Sequence, residues 1–128
     1  MDLHDKRIKK HPLYCSFFFA FRGIWSALLQ ERNMRIHGAC AIIILLASFY
    51  FSIEKMEWLF IVFAIAGMFS LELINSALER VVDLVSPTYH PLAKQAKDMA
   101  AGAVLIFALI TIVIGLTIFL PYVLVVFK

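Results

Sequence analysis

The uncharged run at residues 58–71, WLFIVFAIAGMFSL, passes without a break into ELINSALERVVD at residues 72–83. This junction constrains the chain more than any other stretch, because a long apolar run that ends in acids must be covered by something other than water. Within the second segment Glu72, Asn75, Ser76, Glu79 and Asp83 stand at offsets of 0, 3, 4, 7 and 11. At roughly 100° per residue these offsets fall inside an arc of about 100°, so they form one polar stripe on an otherwise apolar helix. An ionisable side chain at membrane depth costs a few kcal/mol and marks a pathway, a relay or a binding site. Three acids on one stripe also repel one another. A cation relieves that repulsion, and Mg²⁺ typically takes one or two carboxylates together with phosphate oxygens. The plainer reading is a solvated face on a helix leaving the bilayer, although such exits favour Lys and Arg.

Hydrophobic residues make up 62% of the 128-residue chain, which excludes an ordinary soluble domain. The expected fold is an all-α integral membrane domain with three transmembrane helices, at 36–53, 58–85 and 99–121, preceded by a surface helix at 13–33. In the surface helix Arg22, Ser26, Gln30 and Asn33 recur at near i,i+4 spacing while Phe17, Phe21, Ile24 and Leu28 face away, the pattern of an amphipathic interfacial helix. The turn at 54–57 is short enough to make the first two spans antiparallel neighbours, and Trp58 sits where an interfacial aromatic belongs. Gly67 permits close approach of another helix. Residues 86–99 are expected to form a polar loop between the last two spans.

The net charge of +3 comes mostly from basic residues in the first 35 positions and in the segment after Pro87. Positive-inside bias places both in the cytoplasm, with residues 1–12 leading in from that side. The stripe, the segment ERNMRIHG at 31–38 and the Lys97-Asp98 pair then meet at one inner membrane interface. Almost no soluble surface remains for nucleic acid. Cys15 and Cys40 have no CxxC spacing and no His cluster, so they are expected as free thiols. The apolar run after Lys10 is interrupted by Arg22 and lacks a small-residue cleavage pattern, so no cleaved signal is expected.

If the surface helix continues through Glu31, that carboxylate projects about 180° from Arg22, toward the apolar side, where it needs a metal or an Arg. A juxtamembrane charge cluster that only fixes orientation is the other reading. The meeting place holds Glu31, Glu72 and Glu79 as acids, Asn75 as a neutral orienter, and Arg32, Arg35, Lys94 and Lys97 as cations. Acids for Mg²⁺ and cations for phosphate are the parts of phosphoryl transfer, where catalysis is mostly positioning and charge stabilisation. No GxxxxGK[ST], GxGxxG, HRD or DFG motif is present, and a proton relay would use similar acids.

The pattern LELINSALERVVD followed by AKDMAAGAVL, with Glu31 ahead of the first span, resembles the prokaryotic diacylglycerol kinase and undecaprenol kinase family over roughly residues 16–115. The resemblance implies a small three-helix membrane enzyme with a surface helix, working as a homotrimer and phosphorylating a lipid alcohol with Mg-ATP. It implies Glu72 as general base with Asn75 beside it, and Glu31 and Glu79 as ligands of Mg²⁺. Tyr89, His90, Lys97 and Asp98 match the nucleotide-contacting segment, together with the two metal ligands. Arg35-Ile36-His37 stands where the diacylglycerol branch resembles R-Q-E, and Ala101 where that branch has Ser. These departures are similar to the undecaprenol kinase branch and make Arg35, His37, Glu72 and Ala101 the residues expected near the lipid. Asp83 receives no role beyond the stripe.

Diacylglycerol as acceptor at the same site is the alternative substrate. A small proton- or cation-coupled transporter is the alternative outside enzymes, and it places the acids near the bilayer midplane rather than at its cytoplasmic edge. Three helices per chain are too few to enclose a site, so sites shared between subunits are expected.

Overall fold

In the computed structural model, residues 12–127 are described. The basic leader expected in the cytoplasm therefore lies outside the described residues except for Pro12. Four helices follow one another: α1 (Leu13–Gln30), α2 (Arg32–Tyr50), α3 (Lys55–Val85) and α4 (Pro91–Val126). Three of them, α2, α3 and α4, are long and apolar enough to cross a membrane. Helix α3 is the centre: α4 and α2 both pack along it, and α1 touches α2 and α3.

Two boundaries differ from the sequence expectation in ways that matter for the site. The surface helix does not run to 33. It stops at Gln30, Glu31 takes extended backbone (φ −94°, ψ 122°), and α2 begins at Arg32 rather than 36. The segment LLQERNM around this corner holds neither Gly nor Pro, so tertiary contact rather than local propensity makes the bend. A continuous helix through Glu31 is thus ruled out for this chain. The second difference is at α4, which starts at Pro91 and not near 99. Pro91 occupies the first helical position, where its missing N–H is no loss, and the His90 ring Nδ1 accepts the Leu92 backbone N–H at 3.2 Å. Only residues 86–90 connect α3 to α4, and the polar segment read as loop is mostly two turns of helix.

At 1.5 Å per residue α2 is about 28 Å long, α3 about 46 Å and α4 about 54 Å, against a hydrocarbon core of roughly 30 Å. Helices α3 and α4 must therefore project beyond the apolar layer. Glu72 lies 17 residues into α3 from Lys55, or about 26 Å along the axis, close to where the helix leaves that layer.

The apolar core sits at the opposite end. Ile53, Ile61 and Ile118 are buried there, with Ile44, Phe51, Trp58 and Phe119 packed around them. Phe49 meets Trp58 at a ring-centroid distance of 4.8 Å, and Phe51 meets Tyr122 at 5.8 Å. The turn that feeds this core puts Ser52 at φ 50°, in the left-handed region. Helix α3 then opens with a capping box, in which the Glu54 and Glu57 side chains each accept the other's backbone N–H. Glu57 has a second partner, because Tyr122 Oη on α4 donates to its Oε2 at 2.7 Å. Midway along, Gly67 lies under the Phe107 ring of α4, and a Cβ at Gly67 would stand 2.3 Å from Phe107 Cζ. That contact requires glycine, which agrees with the close approach expected there.

Most large apolar residues face outward from the chain, including Ile42, Phe63, Leu105 and Leu116. Such a surface is at home in lipid or against other copies of the chain.

Candidate active site

Helix α3 turns the first part of the polar stripe inward, where it is covered by its neighbours, and leaves Asp83 at its end exposed. Glu72 is 2% exposed, Asn75 and Ser76 are buried, and Glu79 is half-buried. The i,i+4 spacing of Asn75 and Glu79 stacks them on one face, and the Asn75 amide Nδ2 donates to Glu79 Oε1 at 3.1 Å. Glu72 Oε2 and Asn75 Oδ1 are buried with no hydrogen-bond partner among the described residues. Leaving a buried polar atom unsatisfied costs roughly 1–3 kcal/mol, so the fold holds these two acceptors ready at a price in stability. A dry carboxylate with a free oxygen is suited to receive a proton from a hydroxyl brought to it.

Two sets of ion pairs surround this face. On the α1 side, Arg80 Nη2 donates to Glu31 Oε1 at 2.9 Å and to Gln30 Oε1 at 3.2 Å, and Gln30 Nε2 donates to Ser26 Oγ at 3.0 Å. The corner at Glu31 is thereby tied to α3 one residue beyond Glu79. On the α4 side, Lys97 pairs with Asp83 and Lys94 pairs with Asp98 one turn on. The early start of α4 is what brings Lys97 back alongside the end of α3.

The structure thus gathers Glu72, Asn75 and Glu79 on α3, with Glu31 at its edge and Lys97 beside Asp83. Asp83, left without a role by its sequence position, has a partner. Asp98 is held by Lys94 rather than by its neighbour Lys97. Tyr89 and His90 are exposed in the α3–α4 connection, and the His90 ring is engaged as a helix cap. Arg35 and Ala101 are exposed, away from any hydrogen bond to the stripe. His37 is half-buried at the mouth of an apolar groove of about 490 Å³ that runs over α3 between α2 and α4, past Cys40, Met68 and Thr111. Both described cysteines are free. Arg80 escaped notice in the sequence, and Gln30 was read only as part of the polar face of the surface helix. The signal that could have found Arg80 is that it is the sole cation within residues 72–83.

No group of three His, Cys, Asp or Glu side chains is poised around a point among the described residues. The donors present are carboxylates at Glu79 and Glu31, hard oxygens of the kind Mg²⁺ takes, and the unpartnered Asn75 Oδ1 lies one helical turn before Glu79. Two carboxylates suffice for Mg²⁺ when a phosphate substrate completes the shell, so the residues fit that ion.

The apolar three-span bundle, with Glu72 buried and Glu79 half-buried in the second half of α3, defines a membrane protein. Residues 18–119 match the family model described as prokaryotic diacylglycerol kinase, and the chain belongs to that family. It is 49% identical over 121 residues to the undecaprenol kinase of Bacillus subtilis, spanning 94% of this chain and 98% of that protein. It is 39% identical over 110 residues to the diacylglycerol kinase of Synechocystis sp., covering 85% of this chain and 63% of that one, and 25% identical over 95 residues to the diacylglycerol kinase of Escherichia coli K12, covering 74% and 78%. The protein is a lipid kinase embedded in a membrane.

Proposed function

We propose that this lipid kinase transfers the γ-phosphoryl group of ATP to undecaprenol, giving undecaprenyl phosphate. The buried, unpartnered Oε2 of Glu72 carries the reading. In the reaction Glu72 takes the proton of the lipid hydroxyl as its oxygen bonds to the γ-phosphorus, while the bond from that phosphorus to the β–γ bridging oxygen breaks and ADP leaves. Asn75 holds Glu79 through its amide and so fixes that carboxylate beside the base. Glu31 and Glu79 would hold Mg²⁺, which when bound offsets negative charge on the polyphosphate. Lys97, with Tyr89, His90 and Asp98, serves the nucleotide, and Lys97 exchanges Asp83 for a phosphate oxygen. Arg35, His37 and Ala101 lie toward the lipid.

Undecaprenol is favoured over diacylglycerol by the segment ERNMRIH, by Ala101, and by the extent of likeness to a relative named undecaprenol kinase. The excess of Lys and Arg in the leader and after Pro87 supports an inner or cytoplasmic membrane with the N-terminus and the site on the cytoplasmic side. The surface helix lies in that interface, its aromatics Phe17, Phe21 and Trp25 outward from the chain. The protein works as a homotrimer, with neighbouring copies covering apolar faces and sharing each site.

Transfer of radiolabelled γ-phosphate from Mg-ATP, with undecaprenol and diacylglycerol offered side by side in mixed micelles, tests the reading. Labelling chiefly of undecaprenol supports it. Preference for diacylglycerol keeps the chemistry and overturns the acceptor, and full turnover by Glu72→Gln overturns the base.

A further inference from the structure

The charges around the site do not balance evenly. Asp83 is paired with Lys97, Asp98 with Lys94 and Glu31 with Arg80, while Glu72 and Glu79 have no cationic partner among the described residues. Of the three paired acids only Glu31 is also a candidate metal ligand. Its oxygen Oε1 is already taken, by the guanidinium of the residue that follows Glu79. A dication and a guanidinium brought to one carboxylate repel each other and share its charge, so each weakens the hold of the other.

We propose that Arg80 is the internal counter-ion of Glu31, a positioning residue that holds this carboxylate at the α1–α2 corner while no metal is bound and competes with the metal for it. This deepens the lipid-kinase reading and rests on Glu31 being a metal ligand. Three observations carry it. The pair bridges elements far apart in sequence and joins α3 to the one residue of extended backbone between α1 and α2, so it sets where Glu31 stands. The pair is displaceable, because the Arg80 and Glu31 side chains keep 51% and 29% of their surface exposed, the regime in which an ion pair contributes little. Displacement also leaves the guanidinium a neutral acceptor, Gln30 Oε1, which the same Nη2 already reaches at 3.2 Å and which Ser26 braces from behind. Arg80 need not return to bulk water to release Glu31. It stays as a cation at the rim of a site that receives a polyanion.

The sign of the effect separates this role from a merely structural one. A brace that only shaped the site would weaken metal binding when removed, whereas a competitor strengthens it. The test is Mn²⁺ titrated into the full chain in detergent without nucleotide, with free Mn²⁺ followed by electron paramagnetic resonance. Arg80→Gln and, as a second neutral variant, Arg80→Met are expected to bind Mn²⁺ about threefold to fivefold more tightly than the unmodified chain, the scale of a partly exposed ion pair. Arg80→Lys, which keeps the charge, is expected to stay within about twofold of it. Unchanged or weaker binding by both neutral variants overturns the counter-ion role. Glu31→Gln distinguishes the two levels: if it leaves Mn²⁺ affinity untouched, Glu31 is no ligand and the metal assignment falls as well. If it weakens binding while the Arg80 variants do not tighten it, the counter-ion role falls alone. Absence of Mn²⁺ binding to every form overturns both.

Discussion

The two ends of the bundle are built from the same helices by opposite means. At the end around Ile53, Ile61 and Ile118 the devices serve cohesion: isoleucines pack together, aromatic rings meet in tilted pairs, a capping box closes α3, and Tyr122 ties α4 to it through Glu57. At the other end Glu72, Asn75 and Ser76 occupy buried positions where apolar side chains would pack without cost, and two of their oxygens go unsatisfied. Between the ends stands the contact of Gly67 with Phe107, where the ring of α4 lies against the backbone of α3 in the space a side chain would fill. The difference teaches that cohesion and unsatisfied polarity are separated along the helix axis, which is the division the proposed chemistry requires. One end can therefore be altered for activity and the other for strength.

The sharpest way to break this division is Glu72→Met, which fills the same place with an apolar chain. Phosphoryl transfer is expected to fall by about 100-fold or more, as for loss of a general base, while resistance to thermal unfolding is unchanged or rises. A protein that loses both, in paired turnover and melting measurements, has no such division. Gly67→Val addresses the junction: the Phe107 ring must leave its place, at a cost of about 1–3 kcal/mol, and the melting temperature in detergent should drop accordingly. Tyr122→Phe sharpens the comparison from the cohesive end. Losing the hydrogen bond to Glu57 should cost about 1–2 kcal/mol of stability while turnover below the melting range stays within about twofold. Ser52→Gly should give the smallest effect, a gain of up to about 1 kcal/mol from relief of left-handed backbone, visible as a slightly higher melting temperature.

What the sequence disclosed follows the range of the forces involved. The stripe at residues 72–83 and the three spans are local patterns of polarity on a helical period, and the helices α2, α3 and α4 lie where those patterns stand. The corner at Glu31 was hidden because no residue there breaks a helix, and the partner that holds it, Arg80, lies 49 positions away. The same holds for Glu57 and Tyr122, 65 positions apart. The early start of α4 had a visible signal, Pro91 after a capping His90, that the polar composition of residues 91–98 outweighed. Of the site, the gathering of Glu72, Asn75 and Glu79 was legible from spacing. The partners that order its rim, Arg80, Gln30 and Asp83, required the tertiary fold.

The corner at Glu31 has a mechanical consequence. Helix α2, the shortest of the three spans, nearly equals the apolar layer in length, and it begins directly after the extended residue Glu31 rather than running on as α3 and α4 do. In a bilayer thicker than about 30 Å, α2 would fall short before α3 or α4, so hydrophobic mismatch would be met first by the span that begins beside the Glu31 corner.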